Sequence, residues 1–165
     1  MYSSRVCQTL HDEHRATIDL AERLGGLLES HRRGLPDAAD GRAARLLREI
    51  PPAMEAELGH HFEFEETQLF SHLAAIGDAA IGAHLSDEHD AIRSLGRELA
   101  GMARAAALNG FDEASWQAFR RVAQDVCQRL LSHVQKEEMV LLPLLEENLD
   151  PAMDARLYET YVGNE

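Results

Sequence analysis

Aromatic side chains are scarce in this 165-residue chain, at 5%, and runs of β-branched residues are few. Sheet proteins draw on both, so the composition favours helices rich in Ala and Leu over strands. Only two cysteines are present, Cys7 and Cys127, which excludes a disulfide framework. No run of about 18 apolar residues exists, so no helix is expected to span a bilayer. The N-terminus has no apolar stretch of signal-peptide length, and the cytoplasm is the expected location. Basic clusters are lacking too. With 29 acidic against 16 basic residues, a net charge of −13, nucleic acid and anionic membranes are poor partners. The length suits a single domain, 1–165, with a sizeable core.

What is present is helical periodicity, divided by breakers into four segments. The first covers residues 4–31, with Val6, Leu10, His14, Ile18, Ala21, Leu24 and Leu28 on one face, and ends at Gly34-Leu35-Pro36. The second covers 40–76. Pro51-Pro52 is expected to break or kink it, because proline removes a backbone donor and crowds the preceding turn. Its later part carries Met54, Leu58, His61, Glu65, Leu69 and Leu73 on one face, and Gly77-Asp78 ends it, with Asp78 placed to cap the third segment. That third segment covers 79–108, with Leu85, His89, Ile92, Leu99 and Met102 inward, and stops at Asn109-Gly110. Asp112 is placed to cap the fourth, 112–148, where Phe119, Val122, Val126, Leu130, His133, Glu137, Leu141 and Leu144 line one face. Pro143 is expected to kink it. The tail from Tyr158 to Glu165 receives no assignment. Four long amphipathic helices with short connections predict an all-α, antiparallel up-down-up-down bundle.

One phrase occurs twice. Asp12-Glu13-His14 precedes His61-Phe62-Glu63-Phe64-Glu65-Glu66, and Asp87-Glu88-His89 precedes His133-Val134-Gln135-Lys136-Glu137-Glu138. Each half is thus one helical hairpin carrying a lone His, then a His followed four residues later by Glu. Residues four apart share a helix face. His61 and Glu65 therefore point the same way, as do His133 and Glu137, and all six groups interrupt apolar stripes. Burying them unpartnered would cost several kcal/mol each, by the usual order of magnitude for polar and charged groups. A pair of metal ions removes that cost, since imidazole and carboxylate suit iron, manganese or zinc. Two carboxylates can bridge ions about 3.5–4 Å apart, leaving each His as a terminal ligand. The spacing from lone His to paired His is 47 residues in one half and 44 in the other, which lets all four meet in one transverse layer.

Other residues take quieter readings. Cys7 and Cys127 fall on opposite sides of that layer, about 20 Å apart by helical rise. A disulfide needs about 7 Å or less between Cα atoms, so both are expected as buried thiols. His31, His60 and His84 are expected at the surface or at helix ends, Phe111, Trp116 and Phe119 in the packing. Glu13 and Glu88, each beside a lone His, are expected to be exposed helical acids. Glu66 and Glu138 adjoin the bridging positions, and Glu138 is an alternative to Glu137.

The phrases Leu10-His11-Asp12-Glu13-His14, His61 to Phe70, Asp87 to Arg93 and His133 to Pro143 together resemble the hemerythrin-like (HHE cation-binding) family, over nearly all of the chain. The resemblance implies a non-haem di-iron centre with an oxo or hydroxo bridge. His14, His61, His89 and His133 would be its terminal ligands and Glu65 and Glu137 its bridges, with zinc or manganese as substitute metals. It implies binding or sensing of O2, NO or peroxide, or iron handling. An enzyme that disproportionates peroxide or reduces O2 or NO is a second reading, and a zinc-bound or metal-free structural module a third. One departure matters. The family's oxygen carriers place two histidines one turn apart on the third helix, whereas the positions four before and four after His89 are Leu85 and Arg93. His84 is five away and faces elsewhere. His11 and His72 are the alternative sources of a fifth histidine. Four His against two Glu also separates the pattern from carboxylate-rich ferritin-type bundles. Nothing in the stripes specifies an oligomeric state.

Overall fold

The computed structural model describes residues 1–163 and is all-α. Five helices follow in order: α1 Arg5–Ser30, α2 41–75, α3 Ala79–Asn109, α4 113–148 and α5 Pro151–Gly163. The first four pack antiparallel as a closed ring, each against its two neighbours. The turns fall where the breakers stand: Gly34, Gly77 and Gly110 all take positive φ, a conformation that costs a residue without Cβ little. Asp112 caps α4 in a reciprocal box with Ser115, accepting from its N–H at 2.7 Å. Asp78 occupies the position before α3 but makes no capping hydrogen bond.

The prolines do not break their helices. Helical structure continues through Pro51-Pro52, and the irregularity comes one turn later, as a widened π turn over Ala56–His61. Pro143 follows another π turn, Glu137–Leu141, and so stands in the first turn of resumed α-helix. A missing N–H costs little there. A third π turn covers Glu65–Leu69.

The unassigned tail is helical as far as the described residues reach; residues 164 and 165 lie outside them. α5 packs on α1 and ties down its start. Asp154 accepts from Ser4 Oγ at 2.5 Å and from the N–H groups of Arg5 and Val6 at 2.8 and 3.1 Å. These are donors that the first turn of a helix cannot satisfy internally.

The apolar core comes in two parts. One cluster includes Leu24, Leu47, Ile50, Leu99, Trp116 and Phe119, the other Val6, Leu10, Leu69, Leu73, Leu141 and Tyr161. Between them lies a layer of buried polar side chains. Cys7 and Cys127 sit in opposite clusters as free thiols, Cys7 buried and Cys127 half-buried. Among the described residues, no helix is long and apolar enough to cross a membrane.

Candidate metal centre

The polar layer holds all six residues of the repeated phrase. His14 comes from α1, His61 and Glu65 from α2, His89 from α3, and His133 and Glu137 from α4, and none is more than 2% exposed. They form two groups of four. His14, His61, Glu65 and Glu137 each bring one donor atom within 4.8 Å of the others, and Glu65, His89, His133 and Glu137 do the same. The two carboxylates belong to both groups. The histidines divide by hairpin, the first pair with one group and the second pair with the other.

Separations within the groups are short, yet most of the facing atoms make no hydrogen bond to one another. His14 Nε2 lies 2.7 Å from Glu137, and His61 Nε2 lies 2.9 Å from Glu65. Nevertheless both nitrogens, and all four oxygens of Glu65 and Glu137, lack a hydrogen-bond partner with acceptable angles. His89 Nε2 and His133 Nε2 face each other at 3.0 Å. Lone pairs aimed at a common centre produce this pattern. Ligand bonds of about 2.0–2.2 Å around one ion put neighbouring donors about 3 Å apart. The donor set therefore fits a pair of cations.

Each imidazole turns its other nitrogen outward to a carboxylate. His61 Nδ1 meets Glu13 at 2.8 Å, and His133 Nδ1 meets Glu88 at 3.0 Å. His14 Nδ1 meets Glu138 at 2.6 Å, and His89 Nδ1 meets Glu66 at 3.0 Å. The halves obey one rule: the acid beside each lone His serves the paired His of its own hairpin. The acid after each bridging position serves the lone His of the other hairpin. Such contacts fix tautomer and ring orientation and raise the basicity of the nitrogen facing the ion. Glu13 and Glu88 are thus half-buried partners rather than exposed acids. The signal for them was present in the sequence, since they recur at matched positions in both halves.

The π turns help to separate adjacent carboxylates. Phe70 N–H donates to the Glu65 carbonyl and Leu142 N–H to that of Glu137, five residues back in both halves. Glu65 and Glu137 enter the layer, while Glu66 and Glu138 reach neighbouring helices. Glu138 belongs to neither group of donors. His11 bonds Glu138 at 2.9 Å, and neither His11 nor His72 belongs to either group.

In the metal-free chain burial works against charge on the imidazoles, but the carboxylates beside them outweigh it. Glu137 and Glu138 hold His14 up to about 9. His89 is likewise held up to about 9, by Glu137 and Glu65. Burial also disfavours the charged form of Glu137, but His133 and the other imidazoles around it keep the carboxyl well below its ordinary range. Protons thus occupy in part the role that cations fit.

Residues 6–145 match the hemerythrin HHE cation-binding domain. The chain belongs to that family. No curated protein matches it. Membership implies a small ligand at the metal site, and the buried His/Glu groups fit a binuclear centre of the hemerythrin type. α5 lies beyond the matched stretch, yet it reaches this hemerythrin-like layer. Tyr161, fully buried, donates its hydroxyl to Glu13, the partner of His61. Its ring stacks on His60 with centroids 4.3 Å apart, which leaves His60 half-buried rather than at the surface. His84 is exposed and His31 ends α1, as expected.

Proposed function

We propose that the protein holds a non-haem pair of iron ions and binds or senses a small molecule there, O2, NO or a peroxide. His14 and His61 would be terminal ligands of one ion, His89 and His133 of the other, with Glu65 and Glu137 bridging. The observation that carries this reading is the sharing of both carboxylates, none of whose oxygens has a hydrogen-bond partner, between two buried groups of donors. Two imidazoles and two bridging oxygens give each ion four protein donors. That leaves positions open for an exogenous ligand, as in other non-haem iron sites with few protein donors. Iron bound here would supply reversible ligand binding and electron exchange. The chain's own part is to hold imidazoles in one tautomer through the outer acids, and to keep bulk water out with two apolar clusters.

Metal analysis and optical spectroscopy test the proposal. Two irons per chain, with charge-transfer bands that shift on adding azide, are expected. His133→Ala should lose one ion and Glu137→Ala both. A colourless protein with a single zinc, or none, would refute the reading and favour a structural module.

A further inference from the structure

The two groups of donors match in their imidazoles and share their carboxylates, but the charges behind them differ. Behind His89 and His133 both outer acids are held by fixed cations. The two oxygens of Glu66 take the Arg93 guanidinium, at 2.8 and 2.7 Å. Glu88 takes Lys136, the only lysine in the chain. Behind His14 and His61 neither acid has an arginine or lysine partner among the described residues. Glu13 accepts from the Tyr161 hydroxyl, a neutral donor. Glu138 meets His11 at 2.9 Å, an imidazole without the fixed charge of a guanidinium or ammonium. Arg15, next to His14 in the chain, is exposed.

The contrast extends one turn along the helices of the paired histidines. Four residues before His61 stands Glu57, only 6% exposed, with Thr17 Oγ1 at 3.1 Å from one oxygen. Four before His133 stands Arg129, exposed and paired with Asp125 at 2.7 Å. A carboxylate behind an imidazole raises the basicity of the nitrogen that faces the ion. A cation on that carboxylate withdraws part of the effect, and its own charge repels a metal ion nearby. The side chains of Arg93 and Lys136 are 19% and 41% exposed, so solvent weakens this repulsion without removing it. Glu65 and Glu137 serve both groups and favour neither. What distinguishes the groups is the outer charge, negative behind His14 and His61 and neutralised behind His89 and His133.

We propose that the two cation positions are unequal and that Arg93 and Lys136 set their order. The His14–His61 position takes the first cation and holds it more tightly. The His89–His133 position fills second and empties first. The inference rests on the two-ion reading above and names the residues that decide between its positions.

Zinc titration against a chromogenic chelator reads the order. His133→Ala leaves the first position with both imidazoles, and His61→Ala leaves the second. The zinc remaining in His133→Ala should be at least about tenfold tighter than that in His61→Ala, the lower end of what outer partners contribute to metal affinity. Lys136→Met then separates charge from structure. In the His61→Ala background it should tighten zinc about fivefold, below the full value of an outer partner. A merely structural lysine would make the same change weaken zinc. In the His133→Ala background the effect should be under about twofold, because screening confines such repulsion to nearby charges. Lys136→Arg keeps the charge and should match its parent in both backgrounds. If a histidine variant fails to fold, Lys136→Met in the otherwise unaltered chain reads the same effect as a tighter second zinc. Equal affinities in the two histidine variants, the reverse order, or a Lys136→Met that fails to tighten the second position would overturn this inference alone. An unaltered chain that takes up fewer than two cations would instead refute the two-ion reading.

Discussion

Removing the charge of Glu66 tests whether the outer acids tune the centre. Glu66 accepts from His89 Nδ1 at 3.0 Å, and both of its oxygens bind the Arg93 guanidinium, at 2.8 and 2.7 Å. Partial burial disfavours its charge, but Arg93 and His89 outweigh that and hold the carboxyl below its ordinary range. It is therefore an anion at neutral pH, backing an imidazole whose other nitrogen faces the layer. Contacts of this kind are worth about 10–100-fold in metal affinity. That is about 1.4–2.8 kcal/mol. Glu66→Gln keeps an acceptor and loses the charge, so the lower end is expected; Glu66→Ala loses both and should approach the upper end. Asp90 supplies the control. It also approaches Arg93, at 3.5 Å, but its side chain is 78% exposed and touches no imidazole. Asp90→Asn should be silent. Competition with a chromogenic zinc chelator reads all three affinities on one scale. If Glu66→Gln falls within twofold of Asp90→Asn, the outer acids do not tune the metal and the reasoning fails.

Other outcomes rest on the same geometry. Tyr161→Phe removes the donor to Glu13 and should cost about 1–3 kcal/mol of stability, read as a lower urea midpoint; an unchanged midpoint would mean that α5 contributes nothing through that hydroxyl. His14 and His89, held up to about 9 from an ordinary 6.5, stabilise the metal-free chain fully below pH 6.5 and lose that contribution as pH climbs through 9. Each is worth on the order of 3 kcal/mol. The metal-free melting temperature should therefore fall across that window, while the gain on adding zinc grows because fewer protons must be displaced; a flat or rising metal-free curve would contradict this. Gly82→Ala would place a Cβ 2.9 Å from the Phe70 Cβ, forcing α2 and α3 apart at a cost of about 1–3 kcal/mol. Gly96→Ala meets the flexible tip of Leu58 instead and should cost less, so the reverse order of urea midpoints would count against this packing.

The four bundle helices and the six buried polar residues of the layer were legible because both depend on short-range periodicity. A stripe with period 3.6 and a glycine at its end fix a helix locally. A His and Glu four apart share a face whatever surrounds them. The missed features depend on what crosses between helices. Whether Glu13 reaches His61 is decided by how α1 and α2 dock, which no single-helix projection contains. The π turns at Glu65 and Glu137 leave no mark in composition. α5 was missed for a different reason: its buried residues are only Asp154, Leu157 and Tyr161, too few for an apolar stripe. Its start was nonetheless signalled by Asp150-Pro151, where Asp150 accepts from Met153 N–H at 2.8 Å.

The crossed pattern of contacts has an energetic consequence. Neither hairpin can complete either group of donors. The first group takes His14, His61 and Glu65 from one half and Glu137 from the other; the second inverts the arrangement. The lone histidines are crossed as well, His14 held by Glu138 and His89 by Glu66. Docking the hairpins without cations leaves the pairing of these buried groups to protons on the imidazoles, and that contribution is lost as pH rises. Docking with cations satisfies them in one step. Any ion that binds only the docked bundle stabilises it in proportion to the logarithm of its concentration over its dissociation constant. Ligand affinity, hairpin docking and tautomer control thus share one layer of side chains. A change in that layer touches all three together, while Glu57 and Tyr161, outside the repeated phrase, make the two sides of the layer different.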